Sequence, residues 1–114
     1  MENCIFCKII AGQAAGKLLY HDDQISAFRD IHPAAPIHIL VVPNRHIASL
    51  NDLQPEDAAL MGRLFLVAAQ LARQEGIERS GYRLIVNTGP DAGQAVFHVH
   101  LHLMGGHRMR HPVA

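Results

Sequence analysis

The sequence predicts an α+β domain built on a mostly antiparallel sheet. Three observations carry this. One long amphipathic stretch spans 55–75, short β-branched apolar runs bounded by Gly, Pro and Asp flank it, and a histidine run near the C-terminal end alternates with apolar residues. Helix, strands, long helix and strands is an order that groups antiparallel strands instead of alternating β-α units.

The elements follow in order. Cys4 to Ala11 carries apolar residues at 5, 6, 9 and 10, which suits a short helix with one buried face. Leu18–His21 and Gln24–Arg29 read as two short strands joined through Asp22 and Asp23. Pro33 and Pro36 disfavour helix over 30–36 and mark a turn. Ile37–Val42, β-branched and apolar around His38, reads as a central strand ending at Pro43. Residues 44–54 read as a loop. Pro55 opens the long helix, and Glu56 and Asp57 favour its positive end. Leu60, Met61, Leu64, Val67, Ala68 and Leu71 recur at the three- and four-residue spacing of a buried face, up to a stop at Gly76. Tyr82–Asn87 and Ala95–Met104 are expected strands, with a polar Gly/Pro loop between them and Gly105-Gly106 closing the second.

Composition excludes several classes. The 114 residues fit one domain, read as 1–114 with a tail over 105–114. A formal charge of zero with no basic run argues against a general nucleic-acid binder. The richest apolar stretch, Ala58–Ala72, is broken by Arg63 and Gln70, which argues against a membrane span. Met1-Glu2-Asn3-Cys4 lacks the basic-then-apolar start of a secretion signal, so a cytoplasmic protein is expected.

Nine histidines is several times ordinary usage, and the only two cysteines form one Cys-x-x-Cys, Cys4 to Cys7. That pair could be a redox couple, half a metal site or two buried thiols. In Phe97-His98-Val99-His100-Leu101-His102-Leu103, strand alternation places the three histidines on one face and Val99, Leu101 and Leu103 on the other. Three imidazoles on one face of an apolar strand each need partners. A solvated face, a metal ladder and imidazole catalysis are the competing readings. The run 87–96 leads straight into this strand, and Gly89 and Gly93 allow backbone N–H groups to face an anion. A phosphate held by amides while an imidazole attacks phosphorus fits the pair of motifs.

Residues 98–104 match, at every position, the His-φ-His-φ-His-φ-φ motif of the histidine triad (HIT) superfamily, with φ apolar. The chain also resembles the Hint branch of that superfamily at 28–31, 35–40, 81–83, Asn87, Gly93-Gln94 and Gly105-Gly106. The resemblance implies a HIT-like fold. It has a five-stranded sheet with one long and one short helix, and pairs into a ten-stranded sheet in a homodimer. It implies a hydrolase of purine nucleoside phosphoramidates working through a covalent nucleotidyl-histidine. His100 would be the nucleophile, His102 would contact the phosphoryl oxygens, and His38 and His98 complete the catalytic set, His38 as a proton relay. Asn87 and the backbone at Gly93, Gln94, Ala95 and Val96 would hold the phosphate. Asp30 would hold the ribose, and Ile5, Phe6, Ile9, Ile31 and Phe28 would wall the base, although core packing explains Ile9 and Phe28 equally well.

Two departures stand out. Ala95 replaces a serine that relatives often carry for the leaving group, which predicts slower turnover on poorly activated amines. The tail offers His111-Pro112 where relatives can carry Trp-Pro. Some HIT proteins hold zinc through the Cys-x-x-Cys and two histidines, which correspond here to Cys4, Cys7, His46 and His98. A structural zinc and no catalytic metal is the resulting expectation. His21, His32, His107 and His111 read as surface or turn residues. A dinucleoside polyphosphate hydrolase or nucleotidyl transferase is the alternative within the superfamily. A zinc-stabilised nucleotide-binding adaptor is the alternative outside enzymes.

Overall fold

The computed structural model describes residues 3–110, so His111 and Pro112 of the tail lie outside the described residues. Five strands form one sheet: β1 (Leu18–His21), β2 (Ile25–Arg29), β3 (Ile37–Pro43), β4 (Tyr82–Ile85) and β5 (Leu101–Gly105). Their order is β1-β2-β3-β5-β4, and every neighbouring pair is antiparallel. β3 is central, as its apolar run predicts, and is buried from His38 to Pro43.

Period two sorts the strand residues into two cores. Ile25, Ala27, Ile39, Val41, Leu101 and Leu103 face α2 (Ala58–Gln74), where they meet Leu64, Val67, Ala68 and Leu71. Phe28, Leu40 and Val42 face the other way, under Cys4, Phe6 and Ile9 of the α1 region (α1, Ile5–Ile10). The sheet is therefore a middle layer, with the long helix on one side and the short helix on the other. Each large aliphatic side chain buried in this way contributes about 1.5–3 kcal/mol. Among the described residues no helix is long and apolar enough to cross a membrane.

Three departures from the sequence expectation concern the long helix and the two C-terminal strands. Residues Pro55–Asp57 form a 3-10 turn before α2 begins. The cause is Asp57, whose buried carboxylate turns back to accept the Gln54 N–H at 2.8 Å and pairs with Arg45. The far end of α2 closes as expected, with Ile77 N–H donating to the Ala72 carbonyl (3.0 Å) and Gly76 N–H to that of Arg73 (3.1 Å).

The second and third departures are linked. β4 stops at Ile85 instead of Asn87, and β5 starts at Leu101 instead of Ala95. Val41 stands opposite Leu101, so the same register would set Pro43 opposite Val99. Proline has no N–H to give that pair, so the ladder ends there. Val99 N–H donates to the Ile47 carbonyl instead, at 2.7 Å.

The Gly105-Gly106 ending has a packing reason. A Cβ at Gly105 would lie 2.7 Å from Ile77 Cδ1. Gly106 has φ +99°, and a Cβ there would lie 2.9 Å from Pro36 Cβ. We expect Gly106→Ala to lower the unfolding free energy by about 1–3 kcal/mol through strain and overpacking. Leu71→Ala, inside the α2 core, should cost about 2–5 kcal/mol. Urea denaturation of the two variants beside the wild type measures both.

Candidate active site

Although β5 begins only at Leu101, the alternation of 98–103 survives. Val99, Leu101 and Leu103 are buried against α2, while His98 and His100 are buried on the α1 side, where Phe6 packs edge-on to both. Each imidazole is oriented by the backbone. His98 Nε2–H donates to the Pro43 carbonyl at 2.7 Å, which leaves its Nδ1 lone pair free. His100 Nδ1–H donates to the His98 carbonyl at 2.7 Å, which leaves its Nε2 lone pair free. The two adjacent histidines of the run are thus held as opposite tautomers.

His38 Nδ1 accepts the Ala34 N–H at 3.0 Å. Its proton must then sit on Nε2, which donates to His102 Nδ1 at 2.9 Å. The proton of His102 is in turn forced onto Nε2, a buried atom with no partner among the described residues. Asp30 Oδ2 lies 3.5 Å from His38 Nε2. The result is a free imidazole lone pair on His100 beside an unsatisfied N–H on His102, with ring centres 4.9 Å apart. Leaving such a donor unsatisfied costs about 1–3 kcal/mol, which an anionic oxygen would relieve.

Behind His98 lies a second constellation. The ligand atoms of Cys4, Cys7, His46 and His98 all lie within 4.8 Å of one another. His98 Nδ1 is 3.3 Å from Cys4 Sγ and 3.5 Å from Cys7 Sγ, and His46 Nδ1 is 3.4 Å from Cys7 Sγ. A tetrahedral zinc site has an S···N edge of about 3.5 Å, given its bond lengths. Two sulfurs, two nitrogens and a carbonyl fixing the His98 tautomer therefore fit zinc. Burial, reinforced by the hydrogen bond and charge of Cys4, pushes the Cys7 thiol up to about 11. A bound zinc would reverse this by favouring the thiolate, releasing protons as it binds.

The glycine loop takes a tighter form than its sequence suggests. Residues Pro90–Ala92 make a 3-10 turn, closed by Gly93 at φ +79°. The N–H groups of Gly93 and Gln94 are spent inside the loop, on the carbonyls of Pro90 (3.0 Å) and Gly89 (3.1 Å). The Gln94 side chain is spent too. Its Nε2 donates to the carbonyls of Ala48 (2.8 Å) and Val96 (3.1 Å), and its Oε1 accepts the Gly89 N–H (2.9 Å). Among the described residues, the N–H groups of Ala95 and Val96 have no such partner. A hollow of about 500 Å³ opens beside them, lined by Asn3, Cys4, Ile5, His46, Ala95, Val96 and Phe97.

The HIT domain pattern matches residues 11–109. The chain belongs to the HIT family. It is 50% identical over 105 residues to the purine nucleoside phosphoramidase of Escherichia coli K12, covering 92% of this chain and 88% of that one. The HIT family hydrolase of Legionella pneumophila superposes with a TM-score of 0.93 at 44% identity, over 96% of this chain and 98% of the other. The HIT family hydrolase of Clostridium thermocellum superposes with a TM-score of 0.95 at 41% identity, over 100% and 99% of the two chains. A HIT hydrolase is the class these relatives share.

In this HIT domain the expected histidines and zinc ligands converge, while the expected base wall divides. Phe6, Ile9 and Phe28 are buried together, with the Phe6 and Phe28 rings 5.3 Å apart. Ile5 is 45% exposed and Ile31 80% exposed, so neither is ordinary core. Asn87 is half-buried, two residues beyond β4. Asp30 Oδ1 accepts the His32 N–H at 2.8 Å. His21 Nδ1 meets Ser26 Oγ at 2.8 Å at the far end of β1, while His32 and His107 are exposed. Sequence reasoning did not find the Pro43 carbonyl, the Ala34 N–H or the buried, unpartnered Thr88 Oγ1. For Pro43, the residue ending an apolar strand was the available signal.

Burial lowers the affinity of His102 and His38 for protons. It pushes His102 down to about 4, aided by the neighbouring His100 and His38, and pushes His38 down against the pull of Asp30. The unfolded chain, with ordinary histidines near 6.5, then binds more protons than the native one. We expect stability to be full above about pH 6.5 and to fall as pH drops toward about 4. Urea unfolding between pH 7.5 and 4.5 measures the slope, and His102→Gln should flatten it.

Proposed function

We propose that this HIT protein is a purine nucleoside phosphoramidase. The observation that carries the reading is the His100 Nε2 lone pair, aimed by the bond from Nδ1–H to the His98 carbonyl and set beside the unpaired N–H of His102. Nε2 attacks the α-phosphorus, a P–N bond breaks, and the amine departs with a proton. Water then cleaves the nucleotidyl-histidine. The His102 N–H and the amides of Ala95 and Val96 hold the phosphoryl oxygens, joined by Asn87. His38, whose Nε2–H donates to His102 Nδ1, is the candidate partner of His102 in proton relay. Asp30 takes the ribose hydroxyls. Ile5 and Ile31 wall the base, backed by the buried Phe6, Ile9 and Phe28. The hollow beside Ala95 receives the leaving group, and the missing hydroxyl there slows poorly activated amines.

The name of the Escherichia coli relative supports this reading. The test is release of a fluorescent amine from an adenosine phosphoramidate. We expect turnover by the wild type and a loss of at least about 10³-fold in His100→Ala. A folded wild type that binds AMP without turnover would overturn the phosphoramidase reading, and a dinucleoside polyphosphate substrate would then separate a sister hydrolase from a nucleotide-binding adaptor.

Cys4, Cys7, His46 and His98 would hold a structural zinc that takes no part in the phosphoryl chemistry. A homodimer completes the proposal. β4 is an edge strand of the sheet, and Phe65 and Leu66 of α2 are 52% and 70% exposed. Two β4 edges meeting would give a ten-stranded sheet and cover both β4 edges, leaving only the two β1 edges open. Sedimentation at micromolar concentration should return twice the chain mass, and a monomer would refute the pairing.

A further inference from the structure

The nucleophile lies on a stretch of chain that the sheet does not hold. Regular pairing on β5 starts at Leu101, and Pro43 ends the ladder on the facing strand. Between the segments that follow, one backbone bond crosses near the nucleophile, from Val99 N–H to the Ile47 carbonyl at 2.7 Å. Two of the four cluster ligands flank that bond. His46 directly precedes Ile47, and His98 directly precedes Val99. The other two, Cys4 and Cys7, tie both segments to the start of α1, whose Phe6 packs on the His100 ring at 5.1 Å. The His98 carbonyl is the acceptor that sets the His100 tautomer.

We propose that the Cys4–Cys7–His46–His98 centre positions the nucleophile. It acts as a clasp that replaces the ladder Pro43 interrupts. The four residues are positioning residues: none touches phosphorus, and each acts through the His98 backbone. A four-coordinate metal fixes the His98 ring from its Nδ1 side while Pro43 fixes it from Nε2. The carbonyl two bonds away from that side chain is then held, and with it the direction of the His100 lone pair. The inference rests on His100 being the nucleophile and on zinc occupying the centre.

The test compares wild type, Cys7→Ser, His46→Asn and Cys7→His by three readouts: zinc per chain, amide exchange at Val99 and His100, and kcat and KM on an adenosine phosphoramidate. Cys7→Ser and His46→Asn should lose zinc and exchange the Val99 amide at least about tenfold faster, as local opening does. Their kcat should fall by about 10–100-fold, the usual effect of losing a supporting shell, with KM within about twofold. Cys7→His keeps four ligands and should restore zinc, protection and kcat together. Zinc-free variants with wild-type protection and wild-type kcat would overturn the clasp. If the ligand variants do not fold, chelator-stripped wild type is measured by exchange, and unchanged Val99 protection is the overturning result. A wild type purified without zinc overturns the centre itself. A zinc-loaded wild type with no turnover overturns the nucleophile, while the exchange comparison still decides the clasp.

Discussion

Four imidazoles on the buried side of a sheet pose one constraint that shapes the rest of the site: eight ring nitrogens must find partners in a place water does not reach freely. The chain meets it with its own backbone. The carbonyls of Pro43 and His98 each take one ring N–H, the Ala34 N–H is taken by a third ring, and one imidazole serves the next. Because backbone groups are strictly donors or strictly acceptors, each such bond dictates a tautomer. Two free positions result, a lone pair on His100 and an N–H on His102. They are complementary to a phosphorus centre and to its oxygens.

The same burial sets the electrostatics. Burial weakens proton binding at His102 and His38, and Nδ1 of each accepts a hydrogen bond, so both act as directional hydrogen-bonding groups and not as diffuse positive charge. Asp30 lies close to His38 and opposes this, but burial dominates. A neutral relay ending in an unpaired donor is preorganised: no water must be reoriented when a charged oxygen arrives, which is where enzymes gain most from fixed dipoles.

Much of this was legible in the sequence, and what was not has physical causes. The alternation of 97–103 and the helical period of 60–71 each fix a face, so the core under the long helix and the shared side of the histidines followed directly. Alternation says nothing about pairing, however. A strand through 95–104 was the natural reading, yet the ladder stops at Leu101 because of a proline on a different strand. The glycine loop was legible as an anion cradle, but not which amides remain free. That depended on the loop closing on itself, with the Gly93 and Gln94 N–H groups on the Pro90 and Gly89 carbonyls, and on the Gln94 side chain tying it to Ala48. Turn bonds within a loop leave no periodic trace, and they are what distinguishes Gly93 and Gln94 from Ala95 and Val96 here.

The site is consequently built from two halves of different mechanical character. His38 and His102 sit within the β3–β5 ladder, where neighbouring residues are locked by cross-strand bonds on a packed core. His100, with the 87–96 loop, sits outside that ladder, held by the Gln94 amide, the Val99 bond and the rings and thiols around His98. Groups that only relay a proton or hold an oxygen tolerate a rigid ladder. In the proposed reaction, a nucleophile that must approach phosphorus and then release it gains from a tether that fixes direction without fixing the whole backbone. Placing the free lone pair just past the last ladder bond meets both demands within a sheet of five short strands.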